Sequence, residues 1–380
     1  MRWLSNVRLP GREGLWRIGL EPDSEGPHIA VVQPLPTGSA AAGDDWGGDW
    51  LSPGGVDLQI NGGLGLAFPE LQEGDLPRLL ELLELLWRDG VEAIAPTLVT
   101  CGIPELRQAL AVLRQARAAH RPGRCRLLGA HLEGPFLAPA RRGAHPSQHL
   151  ATPSLAALQQ RIGGFEGEIA LVTLAPELPG ADAVIAELRR LGILVSLGHS
   201  EANEAQASDA FSQGVGMLTH AFNAMPGLHH RNPGPIAAAA LGGHVALGLI
   251  ADGVHVAPSM AVLLQRLAPE QVVLVSDALA PYGLADGVHR WDQRALIVEN
   301  GSCRLEDGTL AGVTLPLLEG VRRLARWGGD ADRAIAAATV LPRQLVGAAA
   351  DCRSQLLGLP LVEALRWSGP SDDLRWRRAA

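Results

Sequence analysis

No lysine occurs anywhere in the 380 residues, so apart from histidine every basic side chain is an arginine. That absence excludes Schiff-base catalysis, a P-loop lysine and a carbamylated lysine bridging two metal ions. The four cysteines, Cys101, Cys125, Cys303 and Cys352, are widely spaced and form neither a CxxC pair nor a disulfide framework. They read as reduced thiols of a cytoplasmic protein. Long apolar runs are also missing: none reaches the roughly 18 residues that cross a bilayer. Met1 to Pro10 is interrupted by Arg2, Asn6 and Arg8 and has no continuous hydrophobic signal region. No basic stretch appears, and a net charge of -8 argues against nucleic acid as the main partner.

What is present is a repeated texture. From Leu51 onward, short apolar runs, polar loops and amphipathic segments alternate, as in a parallel sheet with crossover helices. The runs are Leu51 to Ile60, Val91 to Leu98, Arg126 to His131, Ile169 to Thr173, Ile193 to Gly198, Met217 to His220, Val245 to Ile250 and Gln271 to Ser276. Eight such runs predict an α/β fold, a closed (β/α)8 barrel. Between them, Asp75 to Arg88 places Leu76, Leu79, Leu80, Leu83 and Leu86 on one face, with Asp75 as the expected N-cap and Gly90 at the end. Pro104 to His120 and Ala181 to Leu191 are similar, and Ser200 is the expected cap of a helix over Glu201 to Gln213. Beyond Asp277 come a glycine-containing turn and helices over Leu315 to Trp327 and Asp332 to Val340. Short strands are expected at Leu15 to Leu20, His28 to Gln33, Gln355 to Leu361 and Leu374 to Arg378, with a loop at Thr37 to Gly48. The chain then divides into a barrel over 51–340 and a small accessory β unit built from 1–50 and 341–380.

The polar residues gather where the runs end. Thr219 to Gly234 packs His220, Asn223, His229, His230 and Arg231 among Pro226, Gly227 and Pro233. Such a stretch suits neither helix nor buried strand, and reads as a loop leaving a strand. The other runs end in Asp57-Leu58-Gln59-Ile60-Asn61-Gly62-Gly63, His131-Leu132-Glu133-Gly134, Gly198-His199-Ser200, Asp252-Gly253-Val254-His255 and Ser276-Asp277. In a barrel these ends share one rim. One glutamate and two histidines there provide the three-ligand, open-position set of a catalytic divalent ion, and a remaining aspartate can move a proton. Each residue alone has an ordinary reading: Glu133 as a turn carboxylate, His199 or Asp277 as a cap, His229 and His230 as surface groups. Their joint arrival at strand ends favours metal-assisted hydrolysis.

These motifs, with Ala95-Pro96-Thr97-Leu98-Val99-Thr100, Thr219-His220-Ala221-Phe222-Asn223-Ala224-Met225-Pro226, Asp277-Ala278-Leu279-Ala280-Pro281 and Gly308-Thr309-Leu310-Ala311-Gly312, resemble the N-acetylglucosamine-6-phosphate deacetylase family of the amidohydrolase superfamily. The resemblance covers about Pro53 to Gly312 and is poor at both ends. It implies Glu133, His199 and His220 as metal ligands and Asp277 as the catalytic acid and base. It implies His255 beside the reacting amide, Ala144 and His145 in a substrate-contacting loop, and Leu310, Ala311 and Gly312 closing over the sugar. Asn223, Ala224 and Arg231 match residues for the sugar phosphate, with Arg231 reaching the neighbouring subunit of a homodimer. Many amidohydrolases carry His-x-His after the first strand, holding a second metal. That place corresponds here to Asp57-Leu58-Gln59, and Gln59 predicts a single ion, Zn²⁺ being the expected one. A Gly-x-Ala-Asp-Leu-like signature usual near the family's C-terminus is absent. Two alternatives stand beside this reading: an amidohydrolase for another N-acyl sugar phosphate, cyclic amide or N-acyl amino acid, and a catalytically silent amino-sugar-phosphate binder.

Overall fold

A computed structural model describes residues 1–380 apart from 25, 37–42, 292, 293 and 350. Eight parallel strands form the barrel: β1 (Gly55–Ile60), β2 (Val91–Val99), β3 (Ala130–Glu133), β4 (Ile169–Leu174), β5 (Leu194–Leu197), β6 (Met217–Leu218), β7 (Ala246–Leu249) and β8 (Val272–Leu274). They pair in sequence order from β1 to β8. The seam between β8 and β1 is closed just past the strands, where Asp277 N donates to Gln59 O at 2.9 Å and Asn61 N to Ala278 O at 2.7 Å. All eight expected runs supply a barrel strand, with two refinements. Leu51 and Ser52 belong to a separate strand, Trp50–Ser52, and the third run is split into Arg126–Leu127 and β3.

The barrel is filled in layers. Val56, Leu58, Ala93, Ala95, Leu171, Met217 and Val273 form an apolar cluster inside, against which Leu341 and Leu345 pack. Above it lies a polar floor. His131 bonds Thr97 Oγ1 at 3.0 Å and Thr173 Oγ1 at 2.7 Å, and Thr173 bonds Thr219, which bonds Ser196. Burial pushes His131 down to about 4, so this ring is a neutral structural imidazole. The outer faces of the strands pack on amphipathic helices such as Leu76–Arg88, which buries Leu79, Leu82, Leu83 and Leu86.

Both chain ends lie in antiparallel sheets. Arg2–Val7, Trp16–Glu21 and His28–Pro34 form one, to which Asp44–Asp45 adds in parallel beside Arg2–Val7, while Leu365–Ser368 pairs with Arg375–Arg378 and with Trp50–Ser52. Leu4, Ile18 and Ile29 share a core with Ala336, Val340, Cys352 and Leu356. The expected strand over 355–361 is different: Cys352–Leu356 is a short helix capped by Asp351, and the strand lies further on. The expected loop over 37–48 falls partly outside the described residues, and the remainder includes Asp44–Asp45. Two caps also differ. Asp75 bonds Gln72 N in the preceding turn, and Ser200 donates to Glu177 at 2.7 Å, leaving Asn203 to cap Glu204–Ser212. After Asp277, where only a turn is expected, four antiparallel strands lie over the barrel mouth: Gly287–Trp291, Arg294–Glu299, Ser302–Leu305 and Leu310–Val313.

Candidate active site

Glu133 is the last residue of β3, while His199, His220 and Asp277 follow β5, β6 and β8 by two or three residues. His199, His220 and Asp277 all have positive φ, at 48°, 25° and 51°. Non-glycine residues avoid this region, so the chain spends conformational energy to turn these side chains across the barrel mouth. Gly198 precedes one such turn, and a Cβ there would meet Thr173 Cγ2 at 2.7 Å. All four side chains are buried.

The ligand atoms converge. Glu133 Oε1 lies 3.2 Å from His199 Nε2 and 3.2 Å from His220 Nε2, and the two nitrogens are 3.1 Å apart. Around an ion bound at about 2.0–2.1 Å in tetrahedral geometry, ligand atoms lie about 3.3 Å from one another. The triangle therefore fits one small divalent ion. Two imidazole nitrogens facing each other beside a carboxylate share at most one or two protons, and a cation satisfies all three lone pairs at once. Another triplet, Glu133, His145 and His199, brings its ligand atoms within 4.8 Å of one another. It is looser than the set with His220, which we take as the primary site. His199 Nδ1 faces the Arg141 carbonyl at 2.9 Å, an orienting partner of the sort metal-bound histidines use.

Electrostatics agree with a cation site. Burial pushes the Glu133 carboxyl up, but the imidazoles of His145, His199 and His220 outweigh it and hold the group well below the usual carboxylate range. Burial opposes charge on His220, yet Glu133 and Asp277 raise it. Asp277 goes the other way: burial first, then the Glu133 charge, push it up to about 6. The two carboxylates are thus separated into one always ionised and one able to exchange a proton near neutrality.

Two amides tie them together. Gln59 Nε2 donates to Glu133 Oε1 at 3.0 Å and to Asp277 Oδ1 at 3.3 Å, and Asn61 Nδ2 donates to Asp277 Oδ1 at 2.7 Å. This corrects the assignment of the His-x-His place to Asp57-Leu58-Gln59. The pair facing the site is Gln59 and Asn61. A register break between Asp57 and Ile60 re-aims the strand, and Asp57 itself turns to the seam, accepting from Gln59 N and Ser276 N at 3.2 Å each.

The site opens into a cavity of about 310 Å³. Its lining includes Ala144, His145, Asn223, Ala224, His255, Leu310 and Ala311, all expected from sequence, beside Glu133, His199, His220 and Asp277. His255 Nδ1 bonds Asp252 Oδ2 at 2.7 Å, so Nε2 is the ring nitrogen left for a ligand. Gly312 does not line the cavity; its Cα packs so that a Cβ would lie 2.9 Å from Asp277 O. Arg231 is exposed and outside the lining, as are His229 and His230. Sequence reasoning misses Asn61, Arg141, Ile250 and Trp291 as lining residues. Asn61 has a signal, standing two residues after Gln59. Trp291 has none, since nothing in the sequence announces the sheet that carries it.

No family model matches the chain. Curated proteins do. A bovine N-acetylglucosamine-6-phosphate deacetylase is 36% identical over 313 residues, 80% of this chain and 76% of that protein. An N-acetylgalactosamine-6-phosphate deacetylase of Escherichia coli O157:H7 is 34% identical over 321 residues, 84% of this chain and 83% of that one. Among solved structures, a point mutant of the Mycobacterium smegmatis N-acetyl-D-glucosamine-6-phosphate deacetylase, in complex with N-acetyl-D-glucosamine-6-phosphate, superposes with a TM-score of 0.78 at 29% identity, covering 93% of each chain.

Proposed function

This chain belongs to the N-acetylglucosamine-6-phosphate deacetylase family of amidohydrolases, and we propose that it cleaves N-acetylglucosamine 6-phosphate to glucosamine 6-phosphate and acetate in amino-sugar catabolism. The observation that carries this reading is the triangle of Glu133, His199 and His220 with Asp277 held beside it. These three residues would hold one divalent ion per chain, Zn²⁺ by preference for a nitrogen-rich tetrahedral set. When bound, such an ion supplies Lewis acidity, polarising the amide carbonyl and lowering the pKa of a water.

The chain's own residues do the rest. Asp277, ionised above its raised pKa, accepts a proton from the attacking water, and then returns it to the departing amine nitrogen. Asn61 and Gln59 keep its Oδ1 engaged, which leaves Oδ2 for this traffic. His255, aligned by Asp252, would in its protonated form donate from Nε2 to the amide oxygen as negative charge grows there. His145, Ala144, Asn223 and Ala224 border the sugar, and Leu310 and Ala311 close over it, with Gly312 packed behind them against Asp277. Arg231 suits the phosphate through its planar fork, and we propose that it acts in the partner's site within a homodimer. The barrel over 51–340 would be the catalytic unit, the remainder accessory, and the cytoplasm its location.

The test is acetate release from N-acetylglucosamine 6-phosphate and its galactosamine epimer by purified protein, before and after chelation, with metal quantified on the same sample. One ion per chain, activity lost on chelation and restored by Zn²⁺, is the expected result. Two ions per chain would overturn the mononuclear reading of Gln59 and Asn61, and metal binding without acetate release would overturn the substrate.

A further inference from the structure

Two cavities meet at the mouth of the barrel. Beside the one that contains Glu133, His199 and His220 lies a second, of about 630 Å³, lined by Thr100, Cys101 and Arg142 among others. Among the described residues only Val99 and Trp291 line both, so these two form the partition. Val99 ends β2 and is paired in register with Glu133, which fixes its place in the sheet. Trp291 ends the first strand of the sheet over the mouth, is 7% exposed, and packs with Leu279, Leu296 and Val298. The Arg294 guanidinium stacks over the indole, 4.5 Å from the ring centroid, and its Nη1 donates to Ala144 O at 3.1 Å. The ring is thereby tied both to the mouth sheet and to the loop after β3.

The place of this partition decides which part of a substrate meets it. Asn223 and Ala224 follow β6, whereas Val99 ends β2, four strands away in a closed ring of eight and so across the barrel axis. In an N-acyl hexosamine 6-phosphate the acylated nitrogen is on C2 and the phosphate-bearing carbon on C5, at opposite corners of the pyranose ring. With the phosphate end towards Asn223 and Ala224 and the amide at the triangle of ligands, the acyl chain points past Glu133 to Val99 and Trp291. Both present apolar surface to it.

We propose that Trp291 sets the length of N-acyl group this enzyme accepts, its indole closing the acyl end of the active-site cavity and withholding the second cavity from the substrate. An acetyl group ends at the wall. Each further methylene presses on a ring that Arg294 and the apolar core of the sheet hold in place. Without the indole the two cavities join, and the same catalytic residues serve longer acyl chains. This inference rests on the phosphosugar reading above.

The test is kcat/KM for release of glucosamine 6-phosphate from its N-acetyl, N-propionyl and N-butyryl derivatives, using the Zn²⁺-loaded, full-length protein. The unaltered protein should lose at least about tenfold from acetyl to butyryl. In Trp291→Ala the butyryl-to-acetyl ratio should rise at least about tenfold, with a smaller rise in Trp291→Phe and bound metal unchanged in both. A merely structural defect would lower all three substrates together and leave the ratio where it was, which overturns the proposal. So does an unaltered protein that takes butyryl as readily as acetyl. Trp291→Phe keeps an aromatic ring in the core of the sheet and decides the matter should the alanine variant not fold. If the unaltered protein cleaves none of the three, the phosphosugar reading fails and this proposal with it, whereas acetyl cleavage with an unmoved ratio denies only the role of Trp291.

Discussion

In the proposed mechanism Asp277 is base and then acid, and its surroundings set both. Burial and the Glu133 charge raise it to about 6, while the charge of a bound ion favours the carboxylate and brings it lower. The acid limb of kcat/KM is therefore expected at or below about pH 6, with activity level above it and falling tenfold per unit below. Asp277→Asn should keep one ion per chain yet lose about 10²–10⁴-fold in acetate release; full turnover in that variant would sink the assignment. Asp57, further down the same barrel seam, differs in kind. Burial dominates, raising it to about 7 despite bonds from Ser276 and Gln59. A carboxyl raised in the folded state binds more protons there than in the unfolded chain, so its contribution to stability is full below about pH 4 and declines as pH rises towards 7. Asp57→Asn keeps an acceptor for both backbone N–H groups without the charge. Thermal melting at about pH 7.5 should show it more stable, by up to about 4 kcal/mol, with the gain gone near pH 4. These residue-level features divide in how visible they are from sequence. Glu133, His199, His220 and Asp277 stand out by residue type and position at run ends. Their left-handed backbone does not, because nothing but the surrounding packing favours it.

At the scale of elements, the barrel strands are legible because each is a continuous apolar run between turn signals, buried on both faces. The register break in β1 is not, since a bulge leaves the composition unchanged while exchanging the two faces of a strand. For that reason the sequence alone points to Asp57 where the structure has Asn61. The four-stranded sheet over the mouth escapes for a different reason: its strands are half exposed, as with Val288 at 74% and Ile297 at 45%, and apart from Ala295 to Val298 their apolar residues are scattered. Its last strand is nevertheless the one that meets the chemistry. Val313 N donates to Asp277 O at 3.2 Å and Leu279 N to Val313 O at 2.9 Å, with Gly312 next to them in the strand. A Cβ on Gly312 would lie 2.9 Å from Asp277 O and 2.7 Å from Leu279 Cγ, forcing the strand or the aspartate to move. Gly312→Val is expected to lower kcat at least about tenfold with bound metal unchanged, and to cost about 1–3 kcal/mol in urea unfolding. Unchanged kcat would mean that the sheet yields without disturbing Asp277.

On the scale of the whole molecule, the rim carries the chemistry and the opposite end carries a buried ion cluster. Glu92, at the start of β2, is paired with Arg343 and Arg126, and Arg343 also donates to Gly54 O at 3.2 Å. Burial pushes Glu92 up, but the two guanidinium groups outweigh it and keep the carboxyl below its ordinary value. This cluster joins the barrel to the helix Leu341–Leu345. Removing one cation strands a buried charge, so Arg343→Met should destabilise by about 3 kcal/mol in urea unfolding, and adding Glu92→Gln should recover part of it. No recovery, with the two losses simply adding, would deny the coupling.

Arg231 belongs to the scale of the whole molecule, because the phosphate-binding role proposed for it lies away from its own chain's cavity. It is exposed and does not line its own chain's cavity, although the loop from Asn223 leads from that cavity towards it. Asn223 and Ala224 remain at the site while Pro226, Gly227 and Pro233 shape the outward course of the loop. We propose that the arm reaches a ligand across a subunit boundary, in a homodimer with exchanged arms. Arg231→Ala should raise KM for the phosphorylated sugar with metal content unchanged. The sharper measurement mixes Arg231→Ala with Asp277→Asn subunits under conditions of exchange. If the arm acts in trans, each mixed dimer holds one site with both residues intact, and random assortment restores about a quarter of the unaltered activity. If the arm acts within its own chain, every site lacks one residue or the other and the mixture stays as inactive as its parents.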